Sequence, residues 1–529
     1  MVQNLLINYA SHSGTGTDKF KSEFSVDNEV NFAIYRFPYP SFPGILLGIP
    51  FTMADAEYFT FYDNYIVFSN SLQGLESYLR SMILGATLNK DINYARFKQN
   101  CPGRSNINIF LDINKAFSIG GEIFDGELAE QLSERENNLR KYSKMSWQIQ
   151  RNKDIYFNAL AIAFDQNPRE EAQTTWQSTI GSDIRIKPEL VINHNDRLNR
   201  EIILQDVTNT LHQVTNEGRI RWSIPLSGPV LSEIHQVDYY KNGRLQYLFN
   251  TKEKLFLIDR NGNNVAHFPV SLRSEATNGI SVFDYNNNRD YRYFIAGEDK
   301  KIYVYDYEGK IVKGWIFGQT DHEVVTPVQH FRVAGKDYIV FKDKSRIYIQ
   351  NRRGETRVST KARFENSANP LVLSLEGTPK IVADDVKGKV YYIYFSGKYE
   401  EKKTSGFSKD HFFTVDDLDG NGIPDFIFVD GKELVVIDGN GKRRFREKFE
   451  NSIHSPPNIY TFTNNHKKIG IVDADGNNIY LFNPDGTLNK GFPLQGNTEF
   501  SIGRISENSD GLNLLTGSEG GKLYNYTLD

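Results

Sequence analysis

One phrase recurs along most of this chain: an apolar, aromatic-rich run, a short turn closing on Gly, then a polar run carrying one large ring. The copies read LHQVTNEGRIRW, LFLIDRNGNNVAHF, IYVYDYEGKIVKGW, IYIQNRRGETRV, LVVIDGNGKRRF and IYLFNPDGTLNKGF. Their turn glycines are Gly218, Gly262, Gly309, Gly354, Gly441 and Gly486, at steps of 44, 47, 45, 87 and 45 residues. The step of 87 holds a degenerate copy, VYYIYFSGKYEE, which turns at Ser396-Gly397. A fixed period of this size means a repeat architecture. Two further runs accompany each phrase, as in HFFTVDDL and DFIFVDG, so a unit reads strand A, strand B, strand C, a Gly turn and strand D. Short Val, Ile, Tyr and Phe runs bounded by Asn, Asp and Gly are strands, and Gly accepts the positive φ of tight turns.

Four antiparallel strands in about 40–45 residues are one propeller blade. Strand-A starts near residues 188, 228, 277, 323, 368, 410, 456 and 499 predict eight blades. The last unit ends after strand C. TTWQSTIGSDI resembles RIRWSIPLSGP, and Trp176 stands 46 residues ahead of Trp222. Residues 174–180 are therefore expected to supply the missing strand and close the ring, removing unpaired edges. The expected fold is mainly β: an α+β domain over 1–170, then an eight-bladed propeller of four-stranded blades over 171–529.

The first 170 residues have another texture. VNFAIYRFPYP and YFTFYDNYIVFSN read as strands, the second as a hairpin. SLQGLESYLRSMI has Leu72, Leu75, Leu79, Met82 and Ile83 at helical spacing behind Ser71 as N-cap. NINIFLDI is a strand, ELAEQLSERENNLRKYSK a charged helix, WQIQRNKDIYFNALAIAF a hairpin, and 165–173 a polar linker.

Composition excludes several function classes. With 62 basic and 66 acidic residues, net −4, there is no footprint for nucleic acid and no polybasic membrane patch. A single cysteine, Cys101, rules out an internal disulfide and a cysteine-based zinc site. No apolar run is long enough to span a bilayer, and MVQNLLINYASHSGTGTDK is no signal peptide. The first residues read as mid-domain sequence, so further chain is expected ahead of them.

One motif carries chemistry. Residues 416–426 read DDLDGNGIPDF. Asp417, Asp419, Asn421 and Asp425 offer oxygens at positions 1, 3, 5 and 9 of a calcium loop, with the Ile423 carbonyl at position 7. Gly420 and Gly422 let the loop curl, and hard Ca²⁺ takes six to eight oxygens. Position 12 is Phe428, so this is no EF-hand. The bland alternative is a good turn and nothing more. A structural Ca²⁺ is the expectation, with no catalytic residues. DYNNNRD (Asp284, Asn286, Asn288, Asp290) and DADGNN (Asp473, Asp475, Asn477) read as turns without metal.

Other sites are not visible. No G-x-S-x-G, H-E-x-x-H, Walker or dinucleotide fingerprint falls at a useful strand–helix junction. The ten histidines are scattered. Trp176, Trp222 and Trp315, with Phe268, Phe445 and Phe492, share one slot per unit, which reads as packing between blades. A carboxylate pair drawn from different blades stays open, because such convergence leaves no trace in sequence.

Three resemblances add to this. YFTFYDNYIVFSNSLQGLESYL, with NYARF and NINIFLDI, resembles a group of bacterial envelope proteins in which an α+β domain precedes a propeller. The repeats resemble quinoprotein-type eight-bladed propellers and outer-membrane assembly scaffolds. The loop at 417–425 resembles FG-GAP or integrin-type calcium loops. These imply a bacterial cell-envelope setting and a non-enzymatic, protein-binding role. The alternatives are a channel enzyme acting on carbohydrate or using a quinone, and a calcium-dependent adhesion module.

Overall fold

The computed structural model describes residues 7–9, 12, 17–27, 30–37, 39, 41–48, 56–90, 92–113, 116, 135, 139, 141–164, 174–404, 406–507, 509 and 511–528. The chain divides into two compact units, Met1–Glu171 and Ala172–Asp529. The expected linker at 165–173 and most of the charged segment ELAEQLSERENNLRKYSK lie outside the described residues.

Among the described residues, the first unit holds two antiparallel sheets. One runs Lys21–Ser25, Asn31–Arg36, Tyr58–Tyr62 and Tyr65–Ser69; the other runs Ile107–Asp112, Lys144–Asn152 and Ile155–Ala163. The helix Leu72–Ile83 starts where Ser71 accepts the Gly74 N–H, 3.0 Å away. It buries Leu75 and Leu79 with Ile34, beside Phe24 and Phe32. Strand Lys21–Ser25 and the short helices Phe42–Leu47 and Ile92–Lys98 also occur. Their periodic patterns are too short to read from sequence.

Among the described residues, the second unit forms eight antiparallel sheets in chain order. Their A strands are Glu189–Ile192, His235–Val237, Ser281–Phe283, Gln329–Val333, Val372–Ser374, Phe412–Asp416, Asn458–Thr461 and Ser501–Gly503. Several of these begin later than the sequence suggests. Val230 and Ile234, Ala276 and Ile280, and Val324 and Val328 lie on the connection from D to the next A. They are buried between neighbouring sheets without joining a ladder. Apolar residues there mimic the start of a strand.

One sheet departs from four strands. The third consists of Ser281–Phe283, Arg292–Ala296 and Ile302–Asp306. Its expected D segment leaves the sheet after Val312, whose N–H donates to Val304 O, and Ile316 N–H donates instead to Arg353 O of the next sheet.

Each of the first seven gaps between successive sheets is filled by its own apolar cluster. Leu248, Leu257, Tyr293 and Ile295 fill the second gap, and Val382, Tyr392, Phe426 and Phe428 the fifth. The eighth sheet meets the first through hydrogen bonds: Ser501 Oγ donates to Pro188 O at 2.6 Å and Arg200 N–H to Ile505 O at 2.8 Å. The eighth sheet is completed by Thr174–Thr179, antiparallel to Lys522–Leu528 with Trp176 opposite Asn525. The fold is mainly β and of the β-propeller class.

Candidate metal centre and acidic pocket

In antiparallel sheets the A–B and C–D turns leave one end of the strands, and the B–C turns and D–A connections leave the other. The loop Asp417–Pro424 joins strand A, Phe412–Asp416, to strand B, Asp425–Asp430, of the sixth sheet. Its curl comes from short-range side-chain bonds. Asp417 accepts the N–H groups of Asn421 (3.1 Å) and Gly422 (2.8 Å). Asn421 Oδ1 accepts Ile423 N–H (2.7 Å), and Asp425 Oδ2 accepts Leu418 N–H (3.1 Å).

The same bonding recurs at two other A–B turns. Asp238 accepts from Asn242 and Gly243, and Asn242 from Arg244. Gln246 accepts from Tyr239 as Asp425 does from Leu418. Asp284 accepts from Asn288 and Arg289, and Asn288 from Asp290. Asp417, Asn421 and the second oxygen of Asp425 are therefore explained by the turn itself. Asp419 is the residue the turn needs least: its one backbone contact is a 3.3 Å bond from Asn421 N–H.

Asp419 instead groups with two other carboxylates. Carboxylate oxygens of Asp417, Asp419 and Asp425 lie within 4.8 Å of one another, the one such cluster of three acids, His or Cys among the described residues. Asp425 is fully buried, and its Oδ1 has no aligned hydrogen-bond donor. Burial pushes its carboxyl up to about 6, against the pull of Leu418 N–H and Arg444. Arg444, on strand D of the same sheet (Arg443–Lys448), places its guanidinium across the cluster. It pairs with Asp419 and has Nε 2.7 Å from Asp425 Oδ1. Burial works against the Asp419 charge, yet Arg444 and Asn421 N–H hold its carboxyl below the usual range.

The donor set fits a single hard cation, whose chemistry there would be cross-linking of one hairpin. Asp417, Asp419 and Asp425 would hold it, with Arg444 displaced. Ile423 joins the turn through its N–H, and its side chain is exposed. At Asp290 a salt bridge to Arg292 takes the carboxylate away from its loop. Asp473 accepts Gly476 N–H in a B–C turn, as expected of a turn.

On the opposite face, D–A connections from four sheets converge. A cavity of about 410 Å³ is bounded by Arg185, Lys187, Glu189, Glu233, His454 and Glu499, among others, from the first, second, seventh and eighth sheets. Glu189 accepts Ile234 N–H at 3.0 Å. Burial pushes its carboxyl up to about 7; Lys187 pulls it down and Glu233 pushes it further up. Burial also raises Glu499, against Lys187 and a hydrogen bond from Asn458. Neither this convergence nor the Arg444 clamp is visible in sequence, because each joins residues with no fixed spacing.

No protein-family model matches the chain, and no curated protein matches it. Several solved structures share its general architecture. Sqt1 of Saccharomyces cerevisiae is 10% identical over 68% of this chain and 100% of that one, with TM-score 0.47. BamB from Moraxella catarrhalis is 12% identical over 68% and 100%, with TM-score 0.45. BBS1N in complex with ARL6DN is 12% identical over 68% and 98%, with TM-score 0.40. At such identities and scores these likenesses carry no argument about role.

Proposed function

We propose that this chain is a non-enzymatic scaffold of the bacterial cell envelope: a closed ring of eight blades that binds a protein partner and carries one structural Ca²⁺ at Asp417, Asp419 and Asp425. The observation that supports it most is the pattern of exposed apolar side chains. Ile192, Leu198, Tyr240, Leu375 and Ile423 stand exposed at the A–B end of four different sheets, while the gaps beneath them are sealed. A rigid ring with apolar residues raised on its connections suits recognition of a folded partner. The test is affinity capture from envelope extract with wild type and with Tyr240→Ser/Leu375→Ser, both outside the core. A specific protein held by wild type and lost by the double variant supports the scaffold; identical capture by both removes it. Repeating the capture in EDTA separates a calcium-dependent adhesion module, whose partner would be released.

The Glu189, Glu233 and Glu499 pocket favours a second reading, a channel-mouth enzyme acting on carbohydrate. Burial raises both Glu189, to about 7, and Glu499, and a raised carboxyl beside a second one is what acid–base cleavage of a glycosidic bond uses. Turnover of an oligosaccharide panel that is lost in Glu189→Gln would establish it, and no turnover by wild type would end it.

A further inference from the structure

We propose that a second cavity, of about 400 Å³ and bounded by Lys300, His322, Thr326, Lys342, Asn366 and Ser367, binds a small carboxylate that also carries a hydrogen-bond donor. It lies on the D–A face, where the B–C turns of the third and fourth sheets meet the connections that lead into the fourth and fifth. Lys342 ends strand B of the fourth sheet (Lys336–Lys342) and is 3% exposed. Its ammonium has three N–H donors. One makes a long bond, 3.4 Å, to Ser367 Oγ, and no carboxylate lies at ion-pair distance among the described residues. A buried ammonium so poorly paired is costly unless something else meets it.

The nearby acids are already committed. Asp343 accepts the backbone N–H groups of His322, Ser345 and Arg346 and the Tyr348 hydroxyl. Asp384 accepts from Ser367 and Asn369 and bonds His411 at 2.7 Å. At the rim Lys344 pairs with Glu365, leaving Lys300, His322 and Glu323. Burial pulls the Lys342 pKa down to about 8, although Asp384 partly supports its charge.

An acceptor is spare beside this donor. Asn366 is 6% exposed, and its Nδ2 donates to Asp343 O at 2.8 Å, which fixes the amide orientation. Its Oδ1 has no partner. A ligand that meets both groups presents an oxyanion to Lys342 and an O–H or N–H to Asn366, as a 2-hydroxycarboxylate does. The volume is within the usual range for small-molecule sites.

Calorimetry with lactate, acetate, lactamide and inorganic phosphate tests this. Lactate should bind, acetate more weakly, and lactamide and phosphate not measurably. Lys342→Met keeps the stem and removes the charge; it should weaken lactate binding at least ~10-fold, as loss of a charge-assisted hydrogen bond does. Ala368→Phe, at an exposed position on the rim, should block binding with an unchanged melting temperature. Absence of lactate binding to wild type overturns the site, as does equal binding by both variants. Preference for phosphate overturns the carboxylate assignment, and equal acetate and lactate affinity overturns the role of Asn366.

Discussion

The indole Nε1 of Trp222 donates to the carbonyl of Arg260 at 2.9 Å, and the same ring lies over Gly262, where an added Cβ would come within 3.1 Å of it. Trp176 does the same to Asn216 and Gly218 one repeat earlier. Gly309, Gly354 and Gly486 meet Phe268, Trp315 and Phe445 in the same way, so turn glycine and preceding ring are two halves of one contact between neighbouring sheets; Gly441 departs from this and meets only the Lys403 carbonyl.

That contact is measurable by substitution. Gly218 has φ +91, and a Cβ there would sit 2.8 Å from Trp176 Cε3; Gly243 has φ +84 and nothing within 4 Å. Gly243→Ala should cost only the left-handed strain, about 1–2 kcal/mol. Gly218→Ala should cost clearly more in urea denaturation. Equal losses would mean that the ring does not constrain the turn.

Arg444 pairs with the carboxylates of Asp419 and Asp425 that the proposed calcium would need. Calcium should raise the melting temperature of wild type, and Asp419→Ala should abolish the rise while leaving the turn formed. Arg444→Met should melt lower than wild type in EDTA, because Asp425 loses its cation, and should gain more than wild type from calcium. Differential scanning fluorimetry checks all three; a wild-type melt unchanged between calcium and EDTA removes the metal.

Two carboxyls make stability depend on pH in a stated direction. Glu189 in the folded chain is raised to about 7, above the unfolded value of about 4.3. Its contribution is fully present below about pH 4 and is lost as pH rises through about 7. Glu189→Gln should therefore gain on wild type between pH 5 and pH 8. A stability difference independent of pH across that range contradicts the burial of this carboxyl.

Asp206 shows the opposite sign. Burial raises its pKa, but bonds from Ser182, Thr208, Thr210 N–H and His212 outweigh it and bring the carboxyl down to about 2. Its contribution is present above the unfolded value of about 3.9 and is lost as pH falls through about 2. Asp206→Asn should thus be destabilised at pH 6 and approach wild type near pH 2; a penalty that persists at low pH would contradict it.

What could be read from the sequence was local. Gly218 to Gly486 mark the C–D turns, Ser71 caps its helix, and Asp417 to Asp425 lie on one short loop, so the spacing alone carries their geometry. Val230 and Val324 misled the placement of strand A, since a buried connection and a strand carry the same apolar residues. Strand D of the third sheet failed because Ile316 finds its partner in the next sheet. Arg444, Glu189 with Glu499, and Lys342 with Asn366 meet only once the sheets are stacked, and nothing in their spacing announces it.

The central claim is that the chain's last strand is paired with a segment laid down before the first sheet of the second unit. Thr175 Oγ1 and Thr527 Oγ1 are 2.7 Å apart across a separation of 352 residues. Oxidation of Thr175→Cys/Thr527→Cys in a Cys101→Ser background, read as mobility on a non-reducing gel, tests this directly. The expected result is a near-complete cross-link in the folded protein that reducing agent reverses. Two thiols that stay free and reactive in the folded protein would mean that the ring is not closed there.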